Sequence, residues 1–257
     1  KTKAIEVKTK LVQATQTKLD INEKRETFRP VATRGSVLYF SIVETSNLNV
    51  MYQTSLAQFL ELFMDSMDKS EKANLASKRV DNIIYTMTYI VYRYINRGLY
   101  EADKLTFVLI VTLKILVVAK RLDQGDVGLL LRGGAALDIN SVRKKPFQWM
   151  PDQTWLNVIE LSTRVGFFRS LPEDLVRNEA PWKVWFESNM PEVEEVPDFE
   201  SRLVEEPKMG AWFRLLIIRT FRLDRAQLCI KSFIKEQPAM GQRYVEPVTD
   251  TLPSIYE

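Results

Sequence analysis

Ile21-Asn22-Glu23-Lys24-Arg25-Glu26-Thr27-Phe28-Arg29-Pro30-Val31-Ala32-Thr33-Arg34-Gly35-Ser36-Val37-Leu38-Tyr39-Phe40 joins two unlike parts of this chain. Upstream of Phe28 there is no glycine or proline, and residues 1–27 read as one polar helix. Ile5, Val12 and Leu19 recur every seven residues, with Ala4 and Leu11 beside them. So narrow an apolar seam resembles one strand of a coiled coil more than a core helix. Such a helix is marginal alone, so the seam predicts a partner helix, expected upstream of Lys1. The plainer alternative is an ordinary surface helix. Downstream, Phe28-Arg29-Pro30 is expected to end the helix, because the residue before a proline is pushed out of the helical region. Gly35 follows, and Ser36 is placed to cap a second helix from Val37 to about Glu44.

Working outward, apolar positions follow helical spacing rather than alternation. After a polar break at 45–49, residues 51–67 predict an amphipathic helix with Tyr52, Leu56, Phe59, Leu60 and Phe63 on one stripe. Residues 77–97 predict another, broken at Gly98. The next, about 100–121, is apolar nearly all round between Leu105 and Ala119 and belongs in the centre of a core. Four of the nine glycines then fall at 125, 128, 133 and 134, around a short helical turn at Leu129–Leu131. Helices are expected from Asp152, around 166–177 and 182–188, and again at 211–220 and 225–236. Residues 191–207 hold seven carboxylates and read as an acidic surface loop, either a partner-binding patch or a solvated connection. The tail from Pro238 is expected to be extended. The fold class is mainly α: helical bundle units with one long coiled-coil-like N-terminal helix, divided at 1–30, 31–121 and 122–257.

Composition narrows the chemistry. The chain has 257 residues, 36 basic and 33 acidic, for a net charge of +3. That near-balance argues against a dedicated nucleic-acid binder. Its 13 Phe, 9 Tyr and 5 Trp supply the buriable surface that disordered chains lack. There is no histidine, which excludes Ser-His-Asp and Cys-His catalysis and histidine metal sites. The single cysteine, Cys229, excludes an intramolecular disulfide and fits a reducing compartment. Residues 1–10 are too polar for a secretory signal, and no apolar run reaches 18 residues. A cytoplasmic or ciliary location without membrane contact is the expectation.

Gly128-Leu-Leu-Leu-Arg-Gly133 frames a P-loop but is followed by Gly134 and Ala135, so the lysine and the hydroxyl are both missing. A tight turn that packs closely explains the glycines better. Glu173/Asp174 and Glu194/Glu195 lie in polar surroundings, and charge runs of this kind are usually solvated. Arg143-Lys144-Lys145 beside Phe147 and Trp149 is too small a set to specify nucleic-acid stacking. Arg34 beside Gly35 could be an arginine finger, or it could pin a junction by hydrogen bonds. Cys229 reads as an inert core thiol. No catalytic, cofactor-binding or metal-ligating residue is assigned.

The opening stretch, residues 21–40, resembles the dynein heavy chain family at the point where a helix returning from the buttress enters the small domain of the fifth AAA+ module. Met51-Tyr52-Gln53-Thr54-Ser55-Leu56 with Phe59 and Phe63 continues the resemblance, as do Arg97–Glu101 with Lys104 and Leu105. Further points are Gly133–Asp138, Lys145-Pro146-Phe147-Gln148-Trp149 and Thr154-Trp155-Leu156-Asn157. The likeness spans nearly the whole chain and is greatest to axonemal outer-arm chains. It implies a fragment of an AAA+ ring: 1–30 the returning buttress (strut) helix, 31–121 the fifth module's small domain, and 122–257 a helical connection toward the sixth module. It also implies no nucleotide site here, with ATP and magnesium held in other modules. The implied partners are the stalk coiled coil, the neighbouring modules and, through the parent chain, microtubules of the ciliary or flagellar axoneme.

Three functions follow as expectations. The first is a mechanical segment that transmits conformational change between ring and stalk, with the seam Ile5, Val12 and Leu19 and the junction Arg29, Pro30, Arg34 and Gly35 as its working residues. The second is a free-standing helical scaffold or adaptor that binds through the acidic loop and the exposed first helix; that Lys1 is not Met speaks for a fragment instead. The third is an enzyme of unknown type, for which no residue set is found.

Overall fold

A computed structural model describes residues 2–135, 137–138, 140–206 and 208–245, with side chains from Val12 onward except those of Asp20 and Gln242. Among the described residues there are helices and turns but no strand. The chain forms two compact units, Lys1–Phe107 and Val108–Glu257. They divide inside the apolar helix α4, Glu101–Val118, rather than after residue 121.

The first unit contains α1 (Thr2–Thr45), α2 (Leu56–Lys69) and α3 (Ala76–Gly98), with α1 and α2 both laid against α3. The break expected at Phe28-Arg29-Pro30 does not occur. Helix α1 runs through Pro30, and Gly35 and Ser36 lie inside it instead of separating two helices. An interior proline costs about 3 kcal/mol, since it removes one backbone donor and crowds the preceding turn. Here Phe28, Arg29 and Pro30 are exposed, so the Glu26 carbonyl, which loses the donor that residue 30 would supply, can turn to water. Just beyond, Val31, Leu38 and Ile42 are buried, each contributing about 1.5–3 kcal/mol. Burial therefore outweighs the local preference. Ser36 does not cap; its hydroxyl donates to the Ala32 carbonyl at 3.0 Å.

Helix α2 begins at Leu56, not Met51. Ser55 caps it, its hydroxyl accepting from the Gln58 amide at 3.1 Å. Tyr52 therefore sits in the preceding turn, buried, and off the expected stripe. At the other end the Arg79 guanidinium donates to the carbonyls of Met67, Ser70 and Glu71 at 2.8–3.0 Å. A cation there satisfies orphan carbonyls and opposes the helix dipole.

The second unit contains α5 (Gln124–Arg132), α6 (Asp152–Arg164), α7 (Leu171–Arg177), α8 (Glu179–Glu187), α9 (Glu200–Glu205), α10 (Gly210–Phe221) and α11 (Ala226–Lys235). Helix α10 is central and packs on α6, α9 and α11. Its Trp212, Leu215, Leu216, Ile217, Ile218 and Phe221 are all buried. Helix α5 extends the turn expected at Leu129–Leu131 to nine residues, started by an Asp123 cap and ended by Gly133 at φ +56°. A short 3-10 turn, Gln242–Tyr244, follows α11, and the expected extended tail lies from residue 246 outside the described residues.

Candidate functional site

The candidate site is the junction that fixes α1 to the first unit. From Val12 to Pro30 the described side chains are exposed apart from a half-buried Thr27, including Val12 at 68% and Leu19 at 58%. Ile5, the third seam residue, has its side chain outside the described set. Arg29 makes only an exposed pair with Glu26, at 3.0 Å. From Val31 onward the same helix is held. Arg34 donates to the Thr88 hydroxyl of α3 at 3.2 Å, and that hydroxyl in turn donates to the Ile84 carbonyl at 2.7 Å. At Gly35 a Cβ would stand 3.1 Å from the Phe63 ring of α2, so the missing side chain permits close approach. Tyr39 stacks obliquely on Phe59 at 5.3 Å, and Met87 of α3 is fully buried beneath. Arg34 thus serves as a pin between helices in this structure.

A second tie lies at the start of α4. The Tyr52 hydroxyl donates to Asp103 at 2.6 Å and accepts from the Tyr100 amide at 3.0 Å. Burial, then the neighbouring carboxylate, raises the Tyr52 pKa, so the hydroxyl keeps its proton and its donor role.

The acidic segment 191–207 is not the surface loop expected. Val196, Phe199 and Leu203 are buried, and residues 200–205 form α9. Its carboxylates meet arginines of α10 and the turn after it. Glu200 accepts two bonds from Arg214 at 2.6 and 2.7 Å and a third from the Val196 amide at 2.9 Å. Glu192, with 7% of its side chain exposed, pairs with Arg225. That hydrogen-bonded cation holds the Glu192 carboxyl below its ordinary pKa, against the opposing effect of burial. Asp198 accepts from the indole of fully buried Trp182 at 2.9 Å. Arg202 lies 4.5 Å over the Phe167 ring and 4.8 Å over Phe199. The segment is a strap latched across an aromatic core. The sequence signal that could have shown this was the interleaving of Val196, Phe199 and Leu203 among the acids.

The glycine pair packs as the spacing suggested. A Cβ on Gly134 would fall on the Leu156 carbonyl, and the Gly134 amide donates to Asn157 at 2.9 Å. Arg219 donates to the Leu130 carbonyl at 2.8 Å and closes the end of α5. Of the basic run, Arg143 pairs with Glu173 and Lys145 with Asp152. Burial pushes the Cys229 thiol up to about 12, so it stays protonated and unreactive near neutrality. Among the described residues no group of three or more His, Cys, Asp or Glu could hold a metal, and no helix is long and apolar enough to cross a membrane.

No family model matches the chain. Curated proteins do. It is 47% identical over 245 residues to the dynein gamma chain of the flagellar outer arm of Chlamydomonas reinhardtii, covering 95% of this chain and 5% of that one. It is 43% identical over 254 residues to mouse dynein axonemal heavy chain 8, covering 99% of this chain and 5% of that one. Against human dynein axonemal heavy chain 10 the identity is 36% over 258 residues. The chain has the sequence of a dynein heavy chain segment. It spans about one twentieth of the heavy chains it matches. The stretches that carried the resemblance sit in this dynein segment at packing contacts: Phe63 against Gly35, Tyr52 against Tyr100, Gly134 against Leu156 and Asn157.

Proposed function

We propose that this segment is a mechanical element of an axonemal, outer-arm-like dynein heavy chain, working at the ciliary or flagellar axoneme. In this reading α1 is the helix returning from the buttress, the first unit belongs to the small domain of the fifth AAA+ module, and the second leads toward the sixth. The segment carries no nucleotide site of its own; ATP and magnesium act in other modules, and microtubules are reached through the rest of the heavy chain. The observation that carries this reading is the continuity of α1. One unbroken helix of 44 residues, about 66 Å long at 1.5 Å per residue, is exposed over its described side chains from Val12 to Pro30, apart from a half-buried Thr27, and clamped beyond them by Arg34 and Gly35. A displacement of the clamped foot is thereby delivered to the exposed seam.

Replacing Ile5, Val12 and Leu19 together by Asp in the whole heavy chain tests it. The expected result is a motor that still hydrolyses ATP at its basal rate but releases microtubules poorly on ATP addition; normal release would overturn the lever assignment. Calorimetry on the segment itself should find no saturable, magnesium-dependent ATP binding. The alternative of a free-standing adaptor loses one of its two supports, since the acidic carboxylates Glu192, Asp198 and Glu200 are engaged within the fold.

A further inference from the structure

We propose that α1 contains a built-in hinge centred on residues 26–30, placed where the free arm meets the clamped foot. Three observations coincide there. Pro30 lies inside the helix, so the Glu26 carbonyl has no backbone amide one turn on and the proline ring crowds the same turn. The change from exposure to burial falls between Pro30 and Val31. The clamps begin within the next turn and a half, at Arg34 and Gly35, while upstream an exposed Arg29–Glu26 pair spans the weakened turn. A missing bond inside a packed bundle would be held straight by its neighbours. Here it stands at the last position before support ends, so bending concentrates in one turn and the helix stays continuous on either side. The device sets how far the arm can swing about the foot, and it requires only this chain's backbone. It is independent of whether the arm contacts a stalk.

The test is amide hydrogen exchange on the intact heavy chain, read by mass spectrometry over peptides covering residues 12–24, 27–34 and 36–44. The unaltered protein should exchange at least tenfold faster over 27–34 than over 36–44. Pro30→Ala, which restores the missing donor and cannot disrupt a helix, should slow 27–34 by at least tenfold and leave 36–44 unchanged. Glu26→Ala, which removes the ion pair but keeps the proline, should leave the 27–34 rate as it is. Equal rates along α1 in the unaltered protein, or no slowing in Pro30→Ala, would overturn the hinge. So would Glu26→Ala matching the effect of Pro30→Ala. Microtubule release is not needed for this readout, so the hinge and the mechanical role can fail separately.

Discussion

Residues 12–30 and residues 191–207 are both polar, charged and sparse in apolar side chains, yet they end in opposite situations. The first is an exposed helical arm whose Val12, Leu19 and Ile21 face outward. The second is drawn down on a core, its Glu192 and Glu200 paired with Arg225 and Arg214 and its Val196 and Phe199 buried. Segment polarity does not decide exposure. What decides it is whether each charge finds a fixed partner and whether the few apolar residues share one inward face. In the strap Glu192, Asp198 and Glu200 have such partners and Val196, Phe199 and Leu203 are buried, while Val193 and Val204 stay exposed; the arm's described residues hold an exposed Arg29–Glu26 pair and no buried apolar side chain.

The largest expected effect follows from removing the strap's anchor. Trp182→Ala deletes a fully buried ring that touches Phe199 and Phe221 and donates to Asp198, and should cost about 3–5 kcal/mol. All five tryptophans lie in the second unit, so urea unfolding followed by indole fluorescence reads that unit; a loss below about 1 kcal/mol would show that the strap is not anchored there.

Next comes the latch. Arg225→Met leaves Glu192 nearly buried without its cation and should destabilise the second unit, by less than Trp182→Ala because Arg225 is itself about a quarter exposed. Because the folded Glu192 pKa is lowered, mainly by Arg225, the pair contributes fully above the ordinary carboxylate pKa. That contribution is lost as pH falls through the depressed folded value. Arg225→Met should therefore destabilise at pH 7 and flatten the acid-side decline. An unchanged acid slope would assign the decline to other carboxylates.

Smaller still is the foot of the arm. Gly35→Ala gains about 1 kcal/mol of helix propensity and spends it against Phe63, a side chain able to shift by a few tenths of an ångström. Melting followed by circular dichroism should move by less than about 1 kcal/mol in either direction, and a collapse of the first unit would mean the α1–α2 contact is tighter than described. Least of all, Leu19→Asp in the arm should change the segment's own stability by no more than about 0.5 kcal/mol. A larger loss would place Leu19 in a contact and remove the contrast between arm and strap.

The helices were legible where apolar residues repeat at helical spacing, as with Val80, Ile83, Met87, Val91 and Ile95 of α3, all buried. The close packing of Gly134 was legible too, because a glycine pair flanked by alanines has few other uses. Pro30 was misread because a local backbone preference was set against burial of Val31, Leu38 and Ile42, which the sequence does not announce as continuous with the arm. Tyr52 was misplaced because periodicity counts an aromatic at the right interval whether or not the helix has begun. The strap was hidden because its partners, Arg214 and Arg225, lie more than ten residues away in sequence and look like ordinary surface charges. In the candidate site, Arg34 and Gly35 could be singled out, but their counterparts Thr88 and Phe63 required the fold.

The central claim is that α1 passes displacement from its foot to its seam because the helix stays continuous through residues 26–30. It is tested most directly by inserting three glycines between Pro30 and Val31 in the intact heavy chain, then measuring microtubule release on ATP addition alongside basal hydrolysis. The account predicts that hydrolysis persists and release is lost, because the arm no longer follows the foot. Release at the normal rate would contradict it.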